Sequence, residues 1–162
     1  LHTTVKELAD FCDSVDVCLS KGLAAPIGSM LMGSKDFIEE ARRVKQRLGG
    51  GMRQAGVIAA PGIIALTKMV DGLREDHENA ERLRSGLEGL GVNVDRKGIL
   101  TNIVNLDVSP VGLEAASFAE KLNQFNIKAK VCSKSNLRMV THHDIKQEDI
   151  HFVLENVKKM VQ

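Results

Sequence analysis

A chain of 162 residues with 43% apolar and 27% charged side chains is long enough for one domain, or for a small domain with part of another. Its formal net charge of +1 offers no electrostatic footing for nucleic acid or an anionic membrane surface. Five Phe with no Trp or Tyr leave no stacking platform for single-stranded nucleic acid, and no apolar run is long enough to span a bilayer.

In chain order, residues 4–11 read as a short helix or turn with Val5, Leu8 and Phe11 on one face. Residues 14–19 are a short apolar strand. Residues 29–32 are a second, ending at Gly33, and the two are expected to pair around the connection over 22–28. Ser34 sits where an N-cap belongs, ahead of a helix over 35–47 that keeps Phe37, Ile38, Ala41 and Val44 at helical spacing. Glu39 and Arg43 make an i,i+4 pair on its outer face. Gly49-Gly50-Gly51 ends this helix and opens a loop of bare backbone amides, followed by Met52-Arg53-Gln54. A largely apolar helix then runs from 55 to about 69, kinked or restarted at Pro61-Gly62. Being apolar on most sides, it is expected to be buried.

After Asp71 the character changes. Leu73, Ala80, Leu83, Leu87 and Leu90 recur at helical spacing among many charges, and Gly91 makes a good residue to follow the helix end. Residues 92–95 and 101–108 are strand-like around a Lys97-Gly98 turn, with Val104, Leu106 and Val108 sharing a face. An amphipathic helix over 115–125 closes at Asn126. Ile127, Ala129 and Val131 then alternate with Lys128 and Lys130 as a half-exposed strand. Residues 137–141 form the next strand. A last helix runs from about 147 to 161 with Ile150, Val153, Leu154, Val157 and Val161 inward. Helix, two strands, helix, two strands, helix predicts an α+β unit with helices on one face of a small antiparallel or mixed sheet.

Cys12, Cys18 and Cys132 form no CxxC and no metal-ligand spacing, which favours buried free thiols in a reducing, cytoplasmic setting. No signal-peptide pattern is present. The chain opens at Leu1, mid-pattern, as a fragment or processed chain would.

Four features are candidates for chemistry. The stretch Val17-Cys18-Leu19-Ser20-Lys21-Gly22 carries a strand into a lysine and then into a loop of small residues. A lysine held there against a packed interior favours the neutral amine that a Schiff base needs. Equally, many lysines end strands because the stem packs and the head reaches water. The Gly49–Gly51 run with Arg53 suits an anion, or is simply a turn between helices. Arg138, alternating with Leu137 and Met139, is either a surface charge or a fork for a carboxylate. His77 lies on a charged helix face, and His142, His143 and His151 match no metal-binding spacing, so no metal is assigned.

Together, the motifs Ser20-Lys21-Gly22-Leu23-x-Ala25-Pro26-x-Gly28-Ser29, Gly49-Gly50-Gly51-Met52-Arg53-Gln54-x-Gly56, Glu75-Asp76-His77-x-Asn79-Ala80 and Arg138-x-Val140-Thr141-His142 resemble the C-terminal half of a low-specificity L-threonine aldolase. The resemblance runs over essentially the whole chain. It implies an α/β fold: residues 1–70 as the end of a large aspartate-aminotransferase-like domain for pyridoxal 5'-phosphate, residues 71–162 as a small α+β C-terminal domain. It implies that Lys21 carries the cofactor as an aldimine, that Arg53 reaches the cofactor phosphate from a neighbouring subunit with Ser20, Gly50 and Gly51 as further cofactor contacts, and that Arg138 binds the substrate carboxylate. The activity implied is cleavage of threonine or allo-threonine to glycine and acetaldehyde, in a cytoplasmic homo-oligomer built as a dimer of dimers.

Two positions depart from the family pattern: Ala24 where a glycine is usual, and Pro61 where a small helix former is commoner. The aspartate for the pyridine nitrogen and the ring-stacking histidine are expected upstream of Leu1, so this chain alone is expected to be inactive. The alternatives are another enzyme of the same cofactor fold, such as a serine hydroxymethyltransferase or a sulfur-amino-acid lyase, and a non-catalytic α+β assembly module.

Overall fold

A computed structural model describes residues 3–98 and 100–161. They fall into two compact units, Leu1–Val70 and Asp71–Gln162.

The first unit opens with α1 (Val5–Ala9). A reciprocal capping box starts it: Thr4 Oγ1 accepts the Glu7 amide, and the Glu7 carboxylate accepts the Thr4 amide. Strands β1 (Ser14–Cys18) and β2 (Ser29–Gly33) form an antiparallel pair in the register Ser14↔Gly33 to Cys18↔Ser29. Ser34 caps α2 (Lys35–Arg47) by accepting the Phe37 amide. Arg43 pairs with Glu40 at 3.1 Å, one residue nearer than the expected Glu39, which faces Lys35 instead.

The next helix departs from expectation twice. Helix α3 (Gly56–Ile64) contains Pro61 without restarting there, and the ladder changes to a π-helical turn over Ala65–Met69. Proline removes one donor, and the widened turn downstream is where the irregularity is absorbed. Nor is this helix buried. Only Gly62 and Ala65 are covered, while Val57, Ile63, Ile64, Leu66 and Val70 stand substantially exposed. The apolar side chains of α1 are exposed too, so the only buried apolar residues of this unit are Leu19, Leu23, Ala25 and Ala65 among those described.

The second unit has a full core. Helix α4 (Leu73–Gly89) ends at Leu90 and Gly91, whose φ of +83° is the left-handed conformation a helix stop needs. Strands β3 (Asn93–Val94), β4 (Ile103–Asp107), β5 (Lys130–Val131) and β6 (Asn136–Val140) make an antiparallel sheet of order β3-β4-β6-β5. Helices α5 (Ala115–Asn123) and α6 (Gln147–Val161) join α4 on one face of it. Their inward residues, Ala80, Leu83, Leu87, Phe118, Leu122, Ile150 and Val157, meet Val94, Val104, Leu106, Leu137 and Met139 of the sheet. The edge strand β5 is shorter than the alternating pattern suggested, and Val131 is exposed there. All the cysteines are free and exposed, against the expectation of burial: Cys18 falls on the exposed side of β1, whose other side carries the partly buried Val15 and Val17, and Cys132 lies just past the end of β5. Among the described residues no single helix is long and apolar enough to cross a membrane.

Candidate active site

Lys21 follows β1 at the mouth of the β1–β2 pair. Two bonds close the loop behind it: its carbonyl accepts the Ala24 amide at 2.8 Å, and the Leu19 carbonyl accepts the Ala25 amide at 3.0 Å. Leu19, Leu23 and Ala25 are buried and anchor the loop, while the Lys21 side chain is exposed. The loop's apolar residues turn inward, with Leu19 beside Gly62 of α3, and the lysine turns outward rather than into a packed interior. Cys18 Sγ and Ser20 Oγ lie 3.2 Å apart. The Ser20 hydroxyl, then its amide, hold the Cys18 thiol below its ordinary pKa, with the Lys21 charge adding a smaller pull in the same direction.

Ala24 adopts φ +57°, so the position where the resembled family has glycine does require a left-handed backbone. Among the described residues, the only other non-glycine, non-asparagine residue in that region is Gln54, at φ +53°. It adjoins Arg53. Both strained residues thus sit in the loops that carry motif residues, which is where backbone strain tends to collect.

The Gly49–Gly51 run is less bare than its sequence suggests. The Gly49 amide donates to Gln46 O and the Gly50 amide to Lys45 O, which finishes α2. Gly50 therefore offers no free amide, whereas the Gly51, Met52 and Arg53 amides make no backbone hydrogen bond among the described residues. Arg53 is exposed and makes no ion pair among the described residues.

In the second unit, Arg138 lies on β6 between the buried Leu137 and Met139, so it points to the sheet face opposite that unit's own helices. That face also carries Asn93, Ile103, Asn105, Asp107, Asn136 and Val140. Arg138 is half-buried, and its Nε is sealed from solvent without a hydrogen-bond acceptor. A depression of about 720 Å³ lies on the β3–β4 side of the sheet, lined by Asn93, Asp95, Asn105, Asp107 and Asn136.

Residues 1–109 match the family model described as "Beta-eliminating lyase". The chain belongs to the beta-eliminating lyase family. Its relatives include low-specificity L-threonine aldolase 1 of Arabidopsis thaliana, 39% identical over 156 residues, which covers 95% of this chain and 44% of that protein. The low specificity L-threonine aldolase of Escherichia coli K12 is 39% identical over 146 residues, covering 90% of this chain and 42% of that one. The chain thus spans less than half the length of the relatives it matches. A solved threonine aldolase from Leishmania major superposes with a TM-score of 0.78 over 99% of this chain and 46% of that structure, at 18% identity. The fold is the α/β fold of the aspartate-aminotransferase-like enzymes, and the threonine aldolases are pyridoxal-phosphate-dependent lyases.

The residues of this lyase-family chain fit such a group in kind. Lys21 offers an exposed amine with no carboxylate paired to it. Arg53 offers a guanidinium beside the Gly51 and Met52 amides, which make no backbone hydrogen bonds among the described residues.

Sequence reasoning named the 75–80 and 141–142 motifs without giving them work. In the structure they hold the second unit together. Thr141 Oγ1 donates to the Asp76 carbonyl at 2.6 Å, Asn79 Nδ2 to the Ile145 carbonyl at 3.0 Å, and Asn102 Nδ2 to the Thr141 carbonyl at 2.7 Å. Arg84 is buried and donates to the Thr101 and Ile103 carbonyls, tying α4 to the start of β4. The available signal was that Asp76, Asn79, Leu83 and Leu87 fall on one helical stripe, with polar residues where apolar ones are expected.

Proposed function

We propose that this chain supplies the lysine-bearing half of a pyridoxal-phosphate aldolase that cleaves L-threonine or L-allo-threonine to glycine and acetaldehyde. In that reading residues 1–70 are the end of the large cofactor domain and residues 71–162 the small C-terminal domain. Lys21 holds the cofactor covalently, with Ser20 beside it. Arg53 and the Gly51 amide take the cofactor phosphate of a neighbouring subunit. Arg138 holds the substrate carboxylate as a planar fork, which orients the Cα–Cβ bond. Bound pyridoxal phosphate supplies the electron sink into which that bond breaks. The single observation that carries the proposal is an exposed, carboxylate-free Lys21 at a strained loop, in a chain whose relatives are threonine aldolases. Arg53 has no ion-pair partner in its own unit, which supports a homo-oligomer, and the exposed free thiols suit a cytoplasmic setting.

The test uses the full-length protein. It should show the visible absorption of lysine-bound cofactor, retain the cofactor after borohydride reduction, and cleave threonine without folate. Lys21→Ala should lose both cofactor signals, and retention of either would overturn the lysine's role. A requirement for folate would favour the serine hydroxymethyltransferase alternative.

A further inference from the structure

Arg138 and Lys130 are paired residues on neighbouring strands β6 and β5. Side chains so placed leave the same sheet face about 5 Å apart, and like charges there destabilise the pair. Opposite Arg138 on its other side stands the uncharged Asn105 of β4. Among the described residues, neither cation has a carboxylate within ion-pair distance. The acid nearest in register is Asp107, two residues along β4 from Asn105. It is engaged elsewhere, with Oδ1 accepting the Ser109 amide at 2.9 Å. Arg138 Nε, meanwhile, is a buried donor with no acceptor. A sheet can tolerate two adjacent cations when an anion arrives at their exposed ends, and sequences break local rules of this kind mainly at functional sites.

We infer that Lys130 is a second substrate-binding cation, which closes with Arg138 on one compact carboxylate while Asn105 lines the opposite side. The inference rests on the reading of Arg138 as the carboxylate fork. Arg138 supplies planar, directional donors and Lys130 a point charge on a flexible stem, so the two roles are not interchangeable. Specificity follows: the site favours a small substrate whose carboxylate fits between the two cationic side chains on that face.

The experiment is steady-state kinetics of the full-length holoenzyme with L-threonine at low salt, alongside melting of the same variants without substrate. Lys130→Gln should raise KM about fivefold with kcat unchanged, the scale of one partly exposed charge pair. It should also raise Tm by about 1–3 °C, because the like-charge repulsion is gone. Lys130→Arg, which keeps the charge but not the compact ammonium, should give a KM between those of the parent and Lys130→Gln. An unchanged KM in Lys130→Gln, with a large rise in Arg138→Ala, overturns the role of Lys130 alone. An unchanged KM in both variants overturns the Arg138 reading beneath it. A raised KM with a lowered Tm would make Lys130 a fold-holding residue and also overturn the inference.

Discussion

In residues 71–162 the apolar stripes of α4, α5 and α6 meet the inner face of a sheet, and Phe118 is 0% exposed among Leu87, Leu106, Leu122 and Leu137. In residues 3–70 helices of comparable apolar content leave Phe37 at 40% and Ile63 at 63% exposure. The helices of the first unit also carry apolar residues, α3 on most of its sides; what they lack among the described residues of their own unit is a second layer. An amphipathic stripe states which side of a helix seeks cover, and the cover itself is a non-local fact. Large exposed apolar patches mark surfaces that another piece of protein covers.

The comparison predicts unequal sensitivity. Phe118→Ala in the 162-residue chain should cost about 3–5 kcal/mol, the transfer and cavity terms of a sealed phenyl ring. Phe37→Ala should cost less than about 1 kcal/mol, since much of its ring already faces water. Urea unfolding followed by far-UV circular dichroism checks both, as the chain has no Trp or Tyr for fluorescence. Equal losses at the two positions would break the contrast between the units.

The same contrast explains what could be read in advance. Local signals were sufficient for Ser34 as the cap of α2, for Gly91 after α4 and for α6 from Gln147 to Val161, because caps and short-range periodicity act within a few residues. They misplaced the cover of α3, the surroundings of Lys21 and the burial of the cysteines, all of which depend on a layer the pattern does not contain. For the candidate site, motifs singled out Lys21, Arg53 and Arg138 as residues but not their geometry. Nothing in the spacing shows Ser20 Oγ turned toward Cys18 Sγ, or the Gly50 amide taken by Lys45. The Lys130–Arg138 pairing required the strand register, which the sequence suggests only after the sheet order is known.

Burial also separates the carboxylates. Those of the first unit are exposed, whereas Asp76 in α4 is 2% exposed. Burial raises its pKa, and charge on His142, His143 and His77 opposes that rise, with Glu75 adding to it. A raised native pKa means the folded state holds the proton more tightly than the unfolded chain. This group's contribution is therefore full below the ordinary carboxylate range and is lost as pH rises through the raised value. Asp76→Asn should melt a few degrees higher than the parent at pH 8, and the gain should shrink toward pH 4. It should shrink further where the histidines are charged, since they favour the ionised form. An Asn variant that melts lower at pH 8 would mean the carboxylate is ionised and well satisfied, and would remove this difference between the units.

The smallest effect tests where strain is kept. The second unit places Gly91, Gly98, Gly112 and Asn126 at its left-handed positions, residue types that accept such a backbone readily. The first unit uses Gly28 and Gly49 but also Ala24 and Gln54. A left-handed alanine costs about 1–2 kcal/mol, and glycine returns part of that through the extra freedom of the unfolded chain. Ala24→Gly should therefore stabilise the chain by about 0.5 kcal/mol, in contrast to the loss a Gly substitution usually brings. Because the strained residue closes the turn on the Lys21 carbonyl, relieving the strain should also hold that turn closed, which hydrogen exchange at the Ala24 and Ala25 amides would report as slower opening. A variant that is less stable than the parent would show that the loop holds Ala24 without strain, and that the two units treat left-handed positions alike.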